Sequence, residues 1–228
     1  AEKILKAMAN STLHEGDFDE IETDHDPEQR QIYAHLRALF DLGGISDDGK
    51  YALRCATLLP QSGMDEALFR HALTEVAAQA IKLLEKKGWV DRKEGKVTIH
   101  PVVRLVCRTE LKPTEESCEE FLDGIRGQYD RKQYDHAKFR QMAEVFETAS
   151  NLLEDKTGFW ANEAGYLWHA VAEPRRALTC NLRSVEKKEQ HQPDSRNLAT
   201  GYNNVGVTYD ALGDHKQALE YKLKALGI

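Results

Sequence analysis

The stretch Gly88–Arg104 reads GWVDRKEGKVTIHPVVR, and the rest of the chain is organised around it. It holds two short runs of β-prone residues, 89–92 and 96–99, on either side of the turn-forming pair Glu94-Gly95. Two such runs around a turn that contains Gly predict a β-hairpin. His100-Pro101 follows at once and predicts the start of an apolar helix, because Pro is favoured in the first turn.

The residues before the hairpin have apolar side chains at helical spacing, interrupted by Gly and Pro. They predict four helices: one starting at Asp26 and Pro27, one capped by Ser46, a third over Met64–Leu73 and a fourth over Glu75–Lys87. The predicted apolar face of the fourth helix consists of Val76, Ala80, Leu83 and Leu84. Helices followed by a hairpin and a closing helix over Val102–Leu111 predict a winged-helix domain over residues 27–112.

Composition limits the classes of function. The 228-residue chain has a net charge of −7 and a mean hydropathy of −0.60, as in soluble helical proteins. A net negative charge argues against a general nucleic-acid binder, which needs a basic surface. The four cysteines are scattered without a metal-binding spacing, so we expect buried free thiols in a cytoplasmic protein. No membrane-spanning run or signal peptide is visible in the sequence.

The last third of the chain repeats itself at an offset of 41 residues. Gly206 matches Gly165, Tyr209 matches Trp168, and the small or apolar residues of the following helix match as well. Small residues where helices cross, with a bulky aromatic between them, are typical of stacked helix pairs. The sequence therefore predicts a mainly α protein in which an α-solenoid of tetratricopeptide-like helix pairs, over 156–228, follows the winged helix.

The remaining segments connect these units. Residues 1–26 are predicted to be the tail of a preceding helical domain and an acidic connector. Residues 113–155 are predicted to form a bridging helical hairpin, with helices over Glu115–Gln128 and His136–Leu153. We expect the chain to be a piece of a longer protein whose repeat array continues after residue 228.

The repeat register predicts a protein-binding surface on the concave side of the helix pairs. Its residues are predicted to be Asn162, Tyr166 and His169 in one helix and Asn203, Val207 and Asp210 in the next. Amide and aromatic side chains suit the binding of a peptide, although packing and solvation alone would also explain them.

No catalytic or metal-binding constellation is visible. Gly44–Tyr51, GISDDGKY, approaches a phosphate-binding loop, but Tyr51 replaces the small hydroxyl residue, and two aspartates would repel phosphate. A DNA-reading winged helix would use Met64–Leu73 as its recognition helix, which is poor in base-reading side chains. We therefore predict a chain that is not an enzyme and that does not bind nucleic acid or a membrane.

The order of these parts resembles the C-terminal part of a STAND NTPase of the NB-ARC type, a class of signal-transduction ATPases. The residues that carry the resemblance are the run Ile99–Arg104, IHPVVR, and the kinesin-light-chain-like repeat Tyr202–Leu226. The resemblance implies that the winged helix folds onto an intramolecular nucleotide-binding domain, and that His100 contacts the β-phosphate of ADP there. Pro101 departs from the Asp that the plant-type motif has next to this histidine.

The resemblance also implies a mechanism. A protein or peptide ligand at the repeats would loosen the resting state, ATP would replace ADP, and the protein would form oligomers. ADP and ATP are expected on the nucleotide-binding domain, and no cofactor is expected in this chain. Two alternatives remain open: a winged-helix transcriptional regulator with a repeat sensor, and a free-standing tetratricopeptide adaptor.

Overall fold

A computed structural model describes residues 41–130, 134–193 and 195–228. These residues form a mainly helical protein with ten helices and one small antiparallel sheet of three strands. In chain order the elements are α1 (Asp47–Ala56), β1 (Met64–Asp65), α2 (Glu66–Ala72), α3 (Glu75–Lys86), β2 (Val90–Lys93), β3 (Lys96–Ile99), α4 (Pro101–Leu111), α5 (Glu115–Gly127), α6 (His136–Leu152), α7 (Phe159–Ala170), α8 (Pro174–His191), α9 (Arg196–Ala211) and α10 (His215–Leu226).

The predicted hairpin is confirmed. β2 and β3 pair antiparallel, with Val90 opposite Ile99, and the turn between them has positive φ angles at both Glu94 and Gly95. Positive φ at both central residues is the geometry that matches the twist of a two-residue hairpin. The sheet order is β1-β3-β2, so β3 is the central strand.

The predicted helix over Met64–Leu73 is wrong at its start. Met64 and Asp65 form β1, which pairs with Val97 and Lys96 of β3, and helix α2 begins only at Glu66. The main chain of β1 fills the open edge of β3, which a helix could not do. Asp65 then caps α2, since its carboxylate accepts a hydrogen bond from the backbone N–H of Leu68 at 2.9 Å.

Of the predicted apolar face of α3, Leu84 is confirmed as buried, but Val76 and Leu83 are wrong. The helix buries Ala77, Ala78, Ile81 and Leu84, whereas Val76 and Leu83 are exposed. The sequence EVAAQAIKLLEK contains two apolar stripes, and periodicity alone does not say which one meets the core.

Arg104 fastens α4 to the end of α1. Its buried guanidinium donates hydrogen bonds to the carbonyl oxygens of Thr57 and Leu59, at 3.1 and 2.7 Å. These carbonyls follow the last turn of α1, where main-chain acceptors lack helical partners. Arg104, the arginine of the run IHPVVR, therefore holds α4 against the end of α1.

The two helices of the predicted bridging hairpin pack mainly against different parts of the molecule. Helix α5 lies on α2, where Phe121 meets Phe69 edge to face with ring centroids 5.6 Å apart. Helix α6 lies on α7, where Phe146 packs against Trp160 with centroids 5.3 Å apart. A continuous hydrophobic core links the two sides.

Helices α7 to α10 form two consecutive helix pairs, and the 41-residue offset holds in space. A Cβ at Gly165 would overlap the Asn181 side chain, and one at Gly206 would lie 2.9 Å from Lys222 Cγ. Asn181 and Lys222 are themselves 41 residues apart, as are Ala172 and Gly213, which both have positive φ angles in the turns. Ala172-Glu173 of the first pair therefore stands where the second pair has Gly213-Asp214.

The predicted connector over residues 1–26 and the helix predicted from Asp26 and Pro27 lie outside the described residues. The four cysteines are buried and free, as expected. In the parts of the chain that the structure describes, every helix is too short or too polar to cross a membrane.

Candidate protein-binding groove

The exposed sides of α7 and α9 form the candidate site. Tyr166 and His169 on α7, and Asn203 and Val207 on α9, are exposed, as the repeat register predicts. The three predicted residues of each helix recur at the spacing i, i+4, i+7 and therefore lie along one side of it. They are Asn162, Tyr166 and His169 on α7, and Asn203, Val207 and Asp210 on α9. The structure thus presents two parallel rows of mixed polar and apolar side chains, which we call the groove.

The two rows are joined by a pair of amides. Asn204 Nδ2 donates a hydrogen bond of 3.0 Å to Asn162 Oδ1, and both side chains are partly buried. Asn203, which the repeat register places on the groove surface, does not make this hydrogen bond and stays exposed. The Asn162 carbonyl oxygen is consequently engaged between the helices, whereas the amide of Asn203 is open to solvent.

Aromatic side chains close one end of the groove. The hydroxyl groups of Tyr129 and Tyr166 lie 2.7 Å apart, with their rings edge to face, and the Tyr129 ring packs on Phe139. Tyr134 donates a hydrogen bond of 3.2 Å to the carbonyl oxygen of Ala170, at the end of α7. The sequence analysis gave no role to the segment between the two helices predicted in residues 113–155, so both tyrosines were missed. Their aromatic character in an otherwise polar segment was the available signal.

Asp210 is engaged within its own helix pair. Its carboxylate forms ion pairs with Lys222 and, at 3.1 Å, with His215, both on α10. The hydrogen bond from Lys222, and then the one from His215, lower the pKa of Asp210. This predicted groove residue therefore links α9 to α10.

A buried ammonium group lies beneath the groove. Lys188 of α8 is only 6% exposed, and burial lowers its pKa, partly offset by the charges of Asp155 and Glu163. Burial likewise raises the pKa of Glu163. The charges of Arg126 and Lys188, and a hydrogen bond with Asn162, lower this pKa and so offset part of the rise. For both groups burial is the larger effect on the pKa, and the opposite charges nearby offset only part of it.

Asp155 explains why α7 starts where it does. Its buried carboxylate accepts hydrogen bonds from the backbone N–H groups of Thr157, Phe159 and Trp160, at 3.0 to 3.1 Å. These amides have no partner within the helix. The adjacent Gly158 has a φ of 66° and lies against the main chain of Ser184, which allows α7 to approach α8 closely.

His100 lies far along the sequence from the groove, and the structure gives it a local task. It is the N-cap of α4, and its Nδ1 accepts a hydrogen bond of 3.3 Å from the backbone N–H of Val102. A ring nitrogen that accepts must be unprotonated, so this contact favours a neutral ring with its proton on Nε2. Burial of part of the ring lowers the pKa of His100, which also favours the neutral form.

Metal chemistry has no visible site: the described residues contain no cluster of three or more His, Cys, Asp or Glu side chains that could hold an ion. A cleft of about 800 Å³ lies beside the start of α5, lined by glutamates of that helix and by Arg108, Lys112 and Lys156. Its long charged side chains resemble a solvated surface more than a converging binding site.

Comparisons of the chain with protein-family models, with curated proteins and with solved structures found no match. The geometry of the described residues therefore carries the argument about function.

Proposed function

We propose that this chain is a non-catalytic regulatory and protein-interaction segment of a STAND-type NTPase switch. In this proposal a winged-helix domain holds the ADP-bound resting state, and tetratricopeptide-like repeats bind a peptide or protein. The observation that carries it is the groove, where Tyr166, His169, Asn203 and Val207 are exposed on two helices whose pairs keep one 41-residue register. Such surfaces suit an extended or helical peptide.

The N-terminal part supports the winged-helix assignment. Its elements run α1-β1-α2-α3-β2-β3, with the short first strand paired to the hairpin, which is the order expected of a winged helix. In that order the DNA-reading helix would be α3, the helix before the hairpin, and not the segment Met64–Leu73. Its exposed side chains include Val76 and Leu83, which cannot read base edges, beside Gln79, Lys82 and Lys86, which can. The net charge of −7 makes the transcriptional regulator the weaker alternative.

Display of a random peptide library against the purified chain tests the binding function. We expect enriched peptides whose affinity falls at least about tenfold in the double variant Tyr166→Ala with Val207→Glu, because both side chains lie on the groove surface. The matched control is Leu219→Glu, which places the same charge on an exposed residue of α10. Failure to enrich any peptide, or equal loss in the control, contradicts the proposal.

His100 can be tested so that its two roles are separated. Replacement by Asn keeps an N-cap acceptor but removes the imidazole, whereas Ala removes both and should cost about 1 kcal/mol of stability. If His100 reports the nucleotide state, His100→Asn should speed ADP release from the full-length protein without lowering its melting temperature. An unchanged ADP release rate in both variants would mean that His100 acts only as the N-cap of α4.

A further inference from the structure

Helix α3 is apolar on two faces, and only one of them is covered by described residues. Its inner face is buried, but Val76 is 56% exposed and Leu83 46% exposed, with the half-buried Ala80 between them. These three residues recur at i, i+4 and i+7, so they form one line along the helix, which we call the α3 stripe. A helix that is apolar all round is normally buried on all sides.

The charges next to the α3 stripe indicate what covers it. One edge of the stripe carries the row Glu75, Gln79, Lys82 and Lys86, and neither lysine forms an ion pair with an acid among the described residues. Lys87 follows at the C-terminal end of the stripe, with its ammonium over the Trp89 ring. The C-terminal half of this edge therefore keeps a positive charge, while Glu75 stands at its N-terminal end.

The cations of the neighbouring hairpin differ in this respect. Arg92 binds Glu66 at 2.8 Å and Glu85 at 2.6 Å, and Lys93 binds Asp91 at 2.9 Å. The charges of Arg92 and Lys93 are compensated locally, and of the hairpin cations only the exposed Lys96 forms no ion pair with a described residue. A short basic edge beside an apolar line, next to a hairpin with most of its cations paired, fits a protein surface better than the uniform negative charge of a nucleic acid.

We propose that the α3 stripe docks an acidic amphipathic helix of a partner protein. The apolar side of that helix packs on Val76, Ala80 and Leu83, and its carboxylates face Lys82 and Lys86. The commitment to an acidic partner follows from the charge of the edge, and the commitment to a helix follows from the narrow, straight form of the stripe. This interface is separate from the groove and does not depend on a ligand there.

Two designed helical peptides test the proposal against the whole chain. The acidic peptide carries Leu at i, i+4, i+7 and i+11 with Glu along one edge, and its twin has Lys in place of every Glu. Fluorescence anisotropy should show the acidic peptide binding at least about tenfold more tightly than its twin at low salt, with the difference shrinking as salt is added.

Three variants locate the binding. Leu83→Glu, and independently Val76→Glu, should reduce binding of the acidic peptide at least about tenfold, whereas the control Leu219→Glu on α10 should leave it unchanged. All three substitutions are at exposed residues, and circular dichroism verifies that each variant is folded. The double variant Lys82→Glu with Lys86→Glu should reverse the preference and bind the basic twin.

Equal affinity for both peptides, or binding that ignores the substitutions at Val76 and Leu83, overturns the proposal. A 20-base-pair DNA duplex serves as the competing probe. Duplex binding that is retained at physiological salt and abolished by the Lys82 and Lys86 substitutions would assign this face to nucleic acid instead, and would overturn it as well.

Discussion

The α7–α8 pair and the α9–α10 pair place matching residues at matching points but bury them to different degrees. Val185 of α8 is 4% exposed, and its counterpart Leu226 of α10 is 83% exposed. The difference comes from the neighbour: α9 packs on α8, while no described helix packs on the equivalent side of α10. A repeated sequence therefore fixes where a side chain lies within its pair, but the next helix decides how much that side chain stabilises the fold.

The largest difference should appear at the aromatic position. Trp168 is fully buried, donates a hydrogen bond from Nε1 to Glu147 at 3.0 Å and stacks under Arg176. Its counterpart Tyr209 is only half-buried and stacks on Tyr221. In urea unfolding followed by circular dichroism, Trp168→Ala should cost about 3–5 kcal/mol, and Tyr209→Ala about 1 kcal/mol. Equal losses would contradict the ranking by burial.

The glycines at the helix crossings provide the second test. Gly165→Ala should destabilise the chain by about 1–3 kcal/mol, because the new methyl group overlaps the buried Asn181 side chain. Gly206→Ala should cost less, since its nearest approaches are 2.9 Å to Lys222 Cγ and 3.1 Å to the carbonyl oxygen of Ala218, against a still shorter distance to Asn181 Oδ1 at Gly165. Adding Asn181→Ala to Gly165→Ala should restore most of the loss. A double variant that stays as unstable as the single one would show that the overlap is not the cause.

Truncation of the outer apolar positions isolates the effect of the neighbouring helix. Val185→Ala should lower the free energy of unfolding by about 1.5 kcal/mol, since it removes buried methyl groups. Leu226→Ala should change it by less than about 0.5 kcal/mol, because the leucine is already exposed. The same urea titration measures both, and a cost at Leu226 as large as at Val185 would mean that its side chain is covered in solution.

The turns differ by one residue type at the same backbone angle. Ala172 has a φ of 59° where Gly213 has a φ of 82°, and a side chain is strained in this left-handed region. Ala172→Gly should therefore stabilise the chain by about 1 kcal/mol, and Gly213→Ala should destabilise it by about as much. Melting temperatures shifted in the same direction by both exchanges would contradict this reading of the turns.

The smallest effect is expected in acid. Lys222 and His215 lower the pKa of Asp210 in the folded chain, so this carboxylate stabilises the fold above the pKa of the unfolded chain. The contribution is lost as the pH falls through the lowered folded pKa. The difference in the free energy of unfolding between the wild type and Asp210→Asn should therefore shrink as the pH falls from about pH 5 to about pH 3. A gap that stays constant over this range would contradict a stabilising role for these two ion pairs.

Much of the helical framework follows from local sequence signals. Ser46 caps α1, Gly88 follows the end of α3 with a positive φ, and the hairpin falls where its β-prone runs and turn predict it. The 41-residue offset is confirmed by the equivalent contacts of Gly165 and Gly206. These features are decided by neighbours in sequence or by residue size, which a single sequence displays.

Features that depend on distant partners were not predictable in the same way. Strand β1 has two residues and exists because β3 offers an open edge. Of the predicted inner face of α3 only Leu84 is fully buried, and the hydrogen bond between Asn204 and Asn162 was not predicted. The groove rows were predicted from the register, but the contribution of Tyr129 was not, because it reaches α7 from a segment 37 residues earlier.

One close contact limits how far α2 and α5 can move relative to each other. A Cβ at Gly124 would lie 2.8 Å from the carbonyl oxygen of Ala72, so the main chains of α5 and α2 touch directly. Interfaces built from long side chains can absorb a displacement by changing rotamers, but two backbones in contact have no such slack. We therefore expect α2 and α5 to move as one rigid unit where they meet.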